Sequence, residues 1–128
     1  MAKQATRTAN APQPVGPYSQ AITVEGFVFV SGQGATDPSS GRLVGADIES
    51  QTKQTLNNVK AIVEASGLAI RNIVKVSVYL KNMSDFKKMN EIYKSYFTET
   101  PPARTTVQVA ALPLPEMLIE IDAIAHRD

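Results

Sequence analysis

The chain has 128 residues, with 13 basic and 12 acidic side chains and a net charge of +1. It contains no cysteine and one histidine, which excludes a disulfide framework, a thiolate nucleophile or zinc site, an iron–sulfur cluster and a multi-histidine metal site within one chain. The near-zero charge argues against a dedicated nucleic-acid binder, whose footprint is a strongly basic face, and no apolar run approaches the ~18 residues of a membrane span.

Residues 1–17 carry Pro12, Pro14 and Pro17 and little apolar periodicity. They are expected to form an extended lead-in, ordered only if something holds it. Ser19 to Val24 reads as a short strand, and Glu25-Gly26 as the turn of a tight hairpin. Phe27 to Gly32 is rich in β-branched and aromatic residues and forms the return strand. It runs into Gly32-Gln33-Gly34, where glycine allows close backbone approach. Asp37-Pro38-Ser39-Ser40-Gly41 is a turn cluster.

Asp47 is a good N-cap for a helix to about Ser66, closed by Gly67. Ile48, Thr52, Leu56, Val59, Ile62 and Val63 lie on one stripe of it. Ile73 to Leu80 alternates, with Val74, Val76, Val78 and Leu80 on one face and Lys75, Ser77 and Tyr79 on the other. A second helix is expected from about Ser84 to Thr98, with Phe86, Met89, Tyr93, Tyr96 and Phe97 as its core stripe. Pro101 and Pro102 stop it. Arg104 to Ala111 is a strand with Arg104, Thr106, Gln108 and Ala110 on one face. After Pro113-Leu114-Pro115, Met117 to Ala125 points Met117, Ile119, Ile121, Ala123 and Ala125 inward.

The order β-β-α-β-α-β-β predicts an α/β (α+β) two-layer sandwich, with both helices on one face of a mixed sheet. We expect a single domain over 1–128, long enough to bury roughly two-thirds of its unfolded surface. The uncovered sheet face is expected to hold Arg104, Thr106, Gln108, Glu120 and Asp122 beside Phe27, Phe29, Tyr79, Leu118 and Ile124. A half-apolar open face predicts an oligomer that buries it. The N-terminal residues have no apolar signal-peptide core, so the expected location is cytoplasmic.

Four features could carry chemistry. Arg104 follows Pro101-Pro102-Ala103 at a strand start, where its fork could take a carboxylate in two-point geometry; a solvated strand-end arginine is the plainer alternative. Glu120 and Asp122 share a strand face and could perform acid–base work if partly buried, or simply form a polar outer face. Ser31-Gly32-Gln33-Gly34 offers backbone donors for an oxyanion, or is only a bulge; it lacks the context of a phosphate loop. Tyr18, between Pro17 and Ser19, points to a site or to packing. His126, two residues from the C-terminal residue, is poorly placed for a catalytic triad.

Several blocks, taken in order, resemble the RidA family, also called YjgF. They are Asn10-Ala11-Pro12, Gly16-Pro17-Tyr18-Ser19-Gln20, Val30-Ser31-Gly32-Gln33, Asn57-Asn58-Val59-Lys60-Ala61-Ile62-Val63, Val74-Lys75-Val76, Asp85-Phe86 with Asn90, Pro102-Ala103-Arg104, and Ile119-Glu120-Ile121. The likeness runs over about residues 10 to 126.

The resemblance implies a chorismate-mutase-like fold and a homotrimer whose three sheets face inward as a barrel, with sites in clefts between subunits. It implies an enamine/imine deaminase that hydrolyses 2-aminoacrylate and 2-iminobutyrate, released by pyridoxal-phosphate dehydratases, to 2-keto acids and ammonia. No metal or cofactor is implied. Carried over by position, Arg104 would clamp the substrate carboxylate and Glu120 would position or activate water. Tyr18, Ser31, Gly32, Asn90 and Thr106 would line the cleft, with Tyr18 drawn from the neighbouring subunit. Many family members have cysteine where this chain has Thr106, so a thiol-dependent step is excluded here. Two other readings stay open: an endoribonuclease that inhibits translation, and a non-catalytic 2-keto-acid-binding or chaperone-like trimer.

Overall fold

The computed structural model describes residues 2–128. Six strands and two helices follow in the order β1 (Gln4–Thr6), β2 (Ala21–Val24), β3 (Phe27–Gln33), α1 (Ile48–Ala65), β4 (Ile73–Leu80), α2 (Phe86–Tyr93), β5 (Ala103–Gln108) and β6 (Ile119–His126). They form one mixed sheet, ordered β1-β2-β3-β6-β4-β5, in which only β4 and β5 are parallel neighbours. The expected sandwich is therefore present, with one extra strand.

That strand corrects the reading of the first 17 residues as a mere lead-in. β1 pairs with β2 through Gln4↔Thr23, Ala5↔Ile22 and Thr6↔Ala21. The segment between them is tied down by Gln20, whose buried amide donates to the Thr8 carbonyl at 3.0 Å and the Pro12 carbonyl at 2.9 Å and accepts from the Thr8 amide at 2.8 Å. A proline-rich segment cannot satisfy its own backbone, and one side-chain amide supplies the missing partners.

The hairpin joining β2 and β3 turns at Glu25 and Gly26, with φ of 52° and 82°. Two consecutive positive φ values make the turn whose twist matches its strands. Asp47 caps α1 as expected, its carboxylate accepting from the Ser50 amide at 2.9 Å. The stripe of Ile48, Thr52, Leu56, Val59, Ile62 and Val63 is buried throughout. So are Gln51 and Asn58, which the apolar pattern does not mark. Asn58 donates to the carbonyls of Gly34 and Thr36 at 3.0 and 2.8 Å. Gln51 donates to the Glu116 carbonyl at 3.0 Å and accepts from the Leu118 amide at 2.8 Å. These amides fasten the loops leaving β3 and entering β6 to α1.

Met89, Tyr93 and Phe97 join the core, with Tyr96 packed against it. Phe86 does not, at 39% exposed. α2 itself ends at Tyr93 rather than near Thr98, and Met83–Asp85 is a separate 3-10 turn before it. Beyond the helix, Tyr96 donates to the Asn57 side chain at 2.7 Å, so a tertiary contact rather than helical continuation holds this segment.

In β4, a bulge shifts the register between Ile73 and Lys75. Ile73 is buried and Val74 is 48% exposed, which corrects the placement of Val74 in the core face. Ile119, Ile121, Ala123 and Ala125 of β6 point inward as expected. No helix among the described residues is long and apolar enough to cross a membrane.

Candidate functional site

The register settles which face each candidate occupies. In β5, Arg104 pairs with Val76, Thr106 with Val78 and Gln108 with Leu80, all buried core residues. Arg104, Thr106 and Gln108 therefore lie on the helix side of the sheet, not on the open face as the alternation predicted. Thr105 and Val107 take the open face beside Ser77 and Tyr79. Alternation fixes which residues of a strand share a face but not which face is covered. β5 is an edge strand with little of its length under a helix, so its burial pattern carries a weak signal.

Glu120 pairs with Tyr79, and Asp122 with Ser77, on the open face. The chain thus holds two separate clusters. The first surrounds Glu120. β3 bulges between Val30 and Gln33, so the Ser31-Gly32 pair is the bulge that the sequence allowed. Gly32 lies against the Glu120 carboxylate so closely that an added Cβ would overlap it. Glycine lets the acid lie against the backbone here, and a larger residue would displace its carboxylate. The Ser31 hydroxyl donates to the Ser19 carbonyl at 2.6 Å, and its amide to the Gln20 carbonyl at 2.9 Å. Those bonds hold the strand entry next to Tyr18, which is 48% exposed.

Burial of the Glu120 carboxyl, reinforced by the Asp122 charge, holds its pKa above the ordinary carboxylate value. Asp122 accepts from the Tyr79 hydroxyl at 2.9 Å. That bond, with burial, raises the pKa of Tyr79. The acid against Gly32 is thus one that holds its proton above the ordinary carboxylate range.

The second cluster surrounds Arg104. Its guanidinium lies over the Tyr93 ring at 4.6 Å and the Phe86 ring at 5.6 Å. Among the described residues no carboxylate forms a salt bridge with it. Asn90 lies on the same helix between these two aromatics, and its Oδ1 is buried without a hydrogen-bond partner among the described residues. The Tyr93 hydroxyl is likewise unpartnered. Its pKa is pushed up to about 12 by burial, although the Arg104 charge and the polar approach of the Arg104 side chain to the hydroxyl pull the other way. Thr106 follows on the same face of β5. The structure therefore groups Ser31, Gly32 and Glu120 apart from Arg104, Thr106 and Asn90, and it leaves Tyr18 with neither cluster, packed on its own loop with its hydroxyl accepting from the Val15 amide at 3.4 Å.

The sequence reading missed Phe86 and Tyr93 as neighbours of Arg104, because a stripe seven residues apart on a helix reads as core. His126 lies on the open face against Phe27, with ring centroids 4.4 Å apart. No group of three or more metal-ligating side chains occurs among the described residues.

Comparison with known proteins then places this geometry. The model of the family described as endoribonuclease L-PSP, the YjgF/RidA family, matches residues 8–127. The chain belongs to this family. It is 52% identical to a RutC family protein of Pyrococcus horikoshii over 126 residues, 98% of this chain and 99% of that one. It is 48% identical over 118 residues to the human 2-iminobutanoate/2-iminopropanoate deaminase, covering 92% of this chain and 85% of the human one. The crystal structure of the Escherichia coli YjgF gene product superposes with a TM-score of 0.93 at 43% identity, covering 98% of this chain and 99% of that chain. The resemblance seen in the sequence blocks is thus membership, and the YjgF/RidA fold is the fold of this chain.

Proposed function

We propose that the protein hydrolyses reactive 2-imino acids, such as 2-iminobutyrate and the imine form of 2-aminoacrylate, to 2-keto acids and ammonia. The observation that carries this reading is the pair of half-sites: a guanidinium without an acidic partner on one face, and a proton-retentive carboxyl against a glycine bulge on the other. The human relative's name adds support.

Arg104 would hold the substrate carboxylate through its planar fork. Water would attack the imine carbon as Glu120 accepts one of its protons. Glu120 would return that proton to the nitrogen to give the neutral carbinolamine, then carry the hydroxyl proton to the same nitrogen as the C–N bond breaks, so that the ketone forms and ammonia leaves. Tyr18, Ser31, Gly32, Asn90 and Thr106 would line the cleft. The reaction balances as imine plus water giving ketone plus ammonia, and the chain's residues supply each proton transfer.

The two clusters occupy opposite faces of one sheet, so they can serve one reaction only between chains. We infer a homotrimer that buries the open face, where Phe27, Phe29 and Val107 are 39%, 43% and 40% exposed. Arg104 of one subunit would then face Glu120 of its neighbour. We read residues 1–128 as one domain acting in the cytoplasm beside pyridoxal-phosphate dehydratases. The endoribonuclease description belongs to the family model. The net charge of +1 and the packing of the sole histidine against the Phe27 ring give that activity little to work with.

The test is a coupled assay in which threonine dehydratase generates 2-iminobutyrate and ketobutyrate formation is followed. Faster release of ketobutyrate with the protein present supports the reading. An unchanged rate over a range of protein concentrations refutes it.

A further inference from the structure

α2 and the turn after it carry three aromatic rings on one stripe: Phe86, Tyr93 and Phe97. Phe97 backs Tyr93 with ring centroids 4.5 Å apart. Tyr93 in turn lies under the Arg104 guanidinium at 4.6 Å, and Phe86 approaches the same group at 5.6 Å. Tyr93 and Phe97 are buried, so this column is anchored in the core, whereas Phe86 is 39% exposed. Arginines elsewhere in protein structures are commonly oriented by carboxylates; this one has no salt bridge among the described residues.

We propose that Phe86 and Tyr93 are positioning residues, which aim the Arg104 fork by stacking on it and leave it free of any acidic partner for the ligand. The inference rests on the reading of Arg104 as a carboxylate clamp. An aromatic face attracts a guanidinium without consuming a donor. A carboxylate in the same place would orient the group equally well but would occupy the two-point geometry that the substrate needs and cancel its charge. The rings also narrow the rotamers of a long side chain before ligand arrives, which lowers the ordering cost of binding. Such residues affect ground-state and transition-state binding alike, so their loss should appear in affinity rather than in turnover at saturation.

The experiment uses the full chain and three variants, Phe86→Leu, Tyr93→Leu and Tyr93→Phe. Affinity for 2-ketobutyrate, an unreactive keto acid, is measured by calorimetry. Turnover at saturating imine comes from the coupled assay. The Arg104 Nε–H resonance, assigned by its loss in Arg104→Lys, reports whether the guanidinium lies in the ring currents of the two aromatics. We expect each leucine variant to weaken 2-ketobutyrate binding by about fivefold and to leave saturating turnover within about twofold. The resonance should move toward the position of exposed arginines, and Tyr93→Phe should restore affinity and resonance, because it keeps the ring.

An unmoved resonance in Phe86→Leu, which changes a half-exposed side chain and keeps the core, overturns the positioning role. So does lost turnover with unchanged affinity. If the resonance responds as expected but the wild-type chain binds no 2-ketobutyrate, the aromatic pair does orient Arg104, and it is the carboxylate-clamp reading that falls.

Discussion

The two faces of the sheet follow different rules. On the helix side, Val28, Val76, Val78, Ile119 and Ile121 are each no more than 1% exposed. The polar groups buried there at Gln20, Gln51 and Asn58 are neutral amides with their bonds made. On the open side, Phe27, Phe29 and Val107 stay about two-fifths exposed beside Glu120 and Asp122. The apolar packing of the first face is complete within one chain, although the Thr52 and Thr55 hydroxyls, the Asn90 Oδ1 and the Tyr93 hydroxyl have no hydrogen-bond partner among the described residues. The second carries apolar area and carboxylates together, which is stable only when another surface covers the former and leaves water or ligand for the latter. Arg104 is an exception on the helix side. It lies at the edge strand beyond the full cover of α2, where a charge can keep contact with solvent.

The sharpest way to break this contrast is to put a charge on the open face. Phe29→Lys should abolish assembly and with it imine hydrolysis, because both half-sites lose their complement. The isolated chain should still fold, since Phe29 is already 43% exposed in it. Light scattering coupled to size exclusion should report a single-chain mass, with a cooperative melting curve that shows a folded chain but lies below wild type, because the stabilisation from assembly is lost. A trimer that persists with full activity would show that another surface makes the contact.

Within an intact assembly the two faces should fail differently. Glu120→Gln removes a proton acceptor but keeps size, and should lower turnover by about 10²–10⁴-fold. Its affinity for 2-ketobutyrate should stay near wild type. Arg104→Lys keeps the charge and loses the fork. It should weaken 2-ketobutyrate binding by about 10- to 100-fold, the equivalent of a charge-assisted bond of about 1.5–3 kcal/mol. Wild-type turnover in Glu120→Gln would reduce Glu120 to a structural acid. Normal binding in Arg104→Lys would remove the clamp.

Element order was legible in the sequence because it rests on periodicity, hairpin chemistry at Glu25-Gly26 and caps at Asp47 and Gly67, all of which are local. The family blocks also brought the candidate residues to notice. What stayed hidden is non-local. β1 depends on the Gln20 amide holding a proline-rich segment. Val74 leaves the core because of a bulge in β4 where it pairs with β6. The face of Arg104 depends on pairing with β4, which sits across a helix in sequence. The division of the site into two clusters could not be read from spacing, since alternation alone does not tell one side of β5 from the other.

The smallest expected effect concerns the charge beside Glu120. Burial first, and the Asp122 carboxylate second, hold the Glu120 pKa above its ordinary value. A base must be ionised to accept a proton, so turnover should fall as pH drops through that raised value, and the acid limb of the profile should lie above the usual carboxylate range. Asp122→Asn removes the charge yet keeps an oxygen for the Tyr79 hydroxyl, now bonded at 2.9 Å. The limb should move to lower pH, but only part of the way, because burial remains. Stability gives an independent check of the sign. A carboxyl whose folded pKa is raised costs nothing below the unfolded value, and its penalty grows as pH rises through the folded one. Glu120→Gln has no proton to lose, so it should melt higher than wild type near neutral pH, and that gain should vanish in acid. An acid limb that Asp122→Asn leaves in place would mean that Glu120 does not feel its neighbour. A melting gain that persists unchanged into acid would mean that the carboxyl of Glu120 is not the group held up by burial.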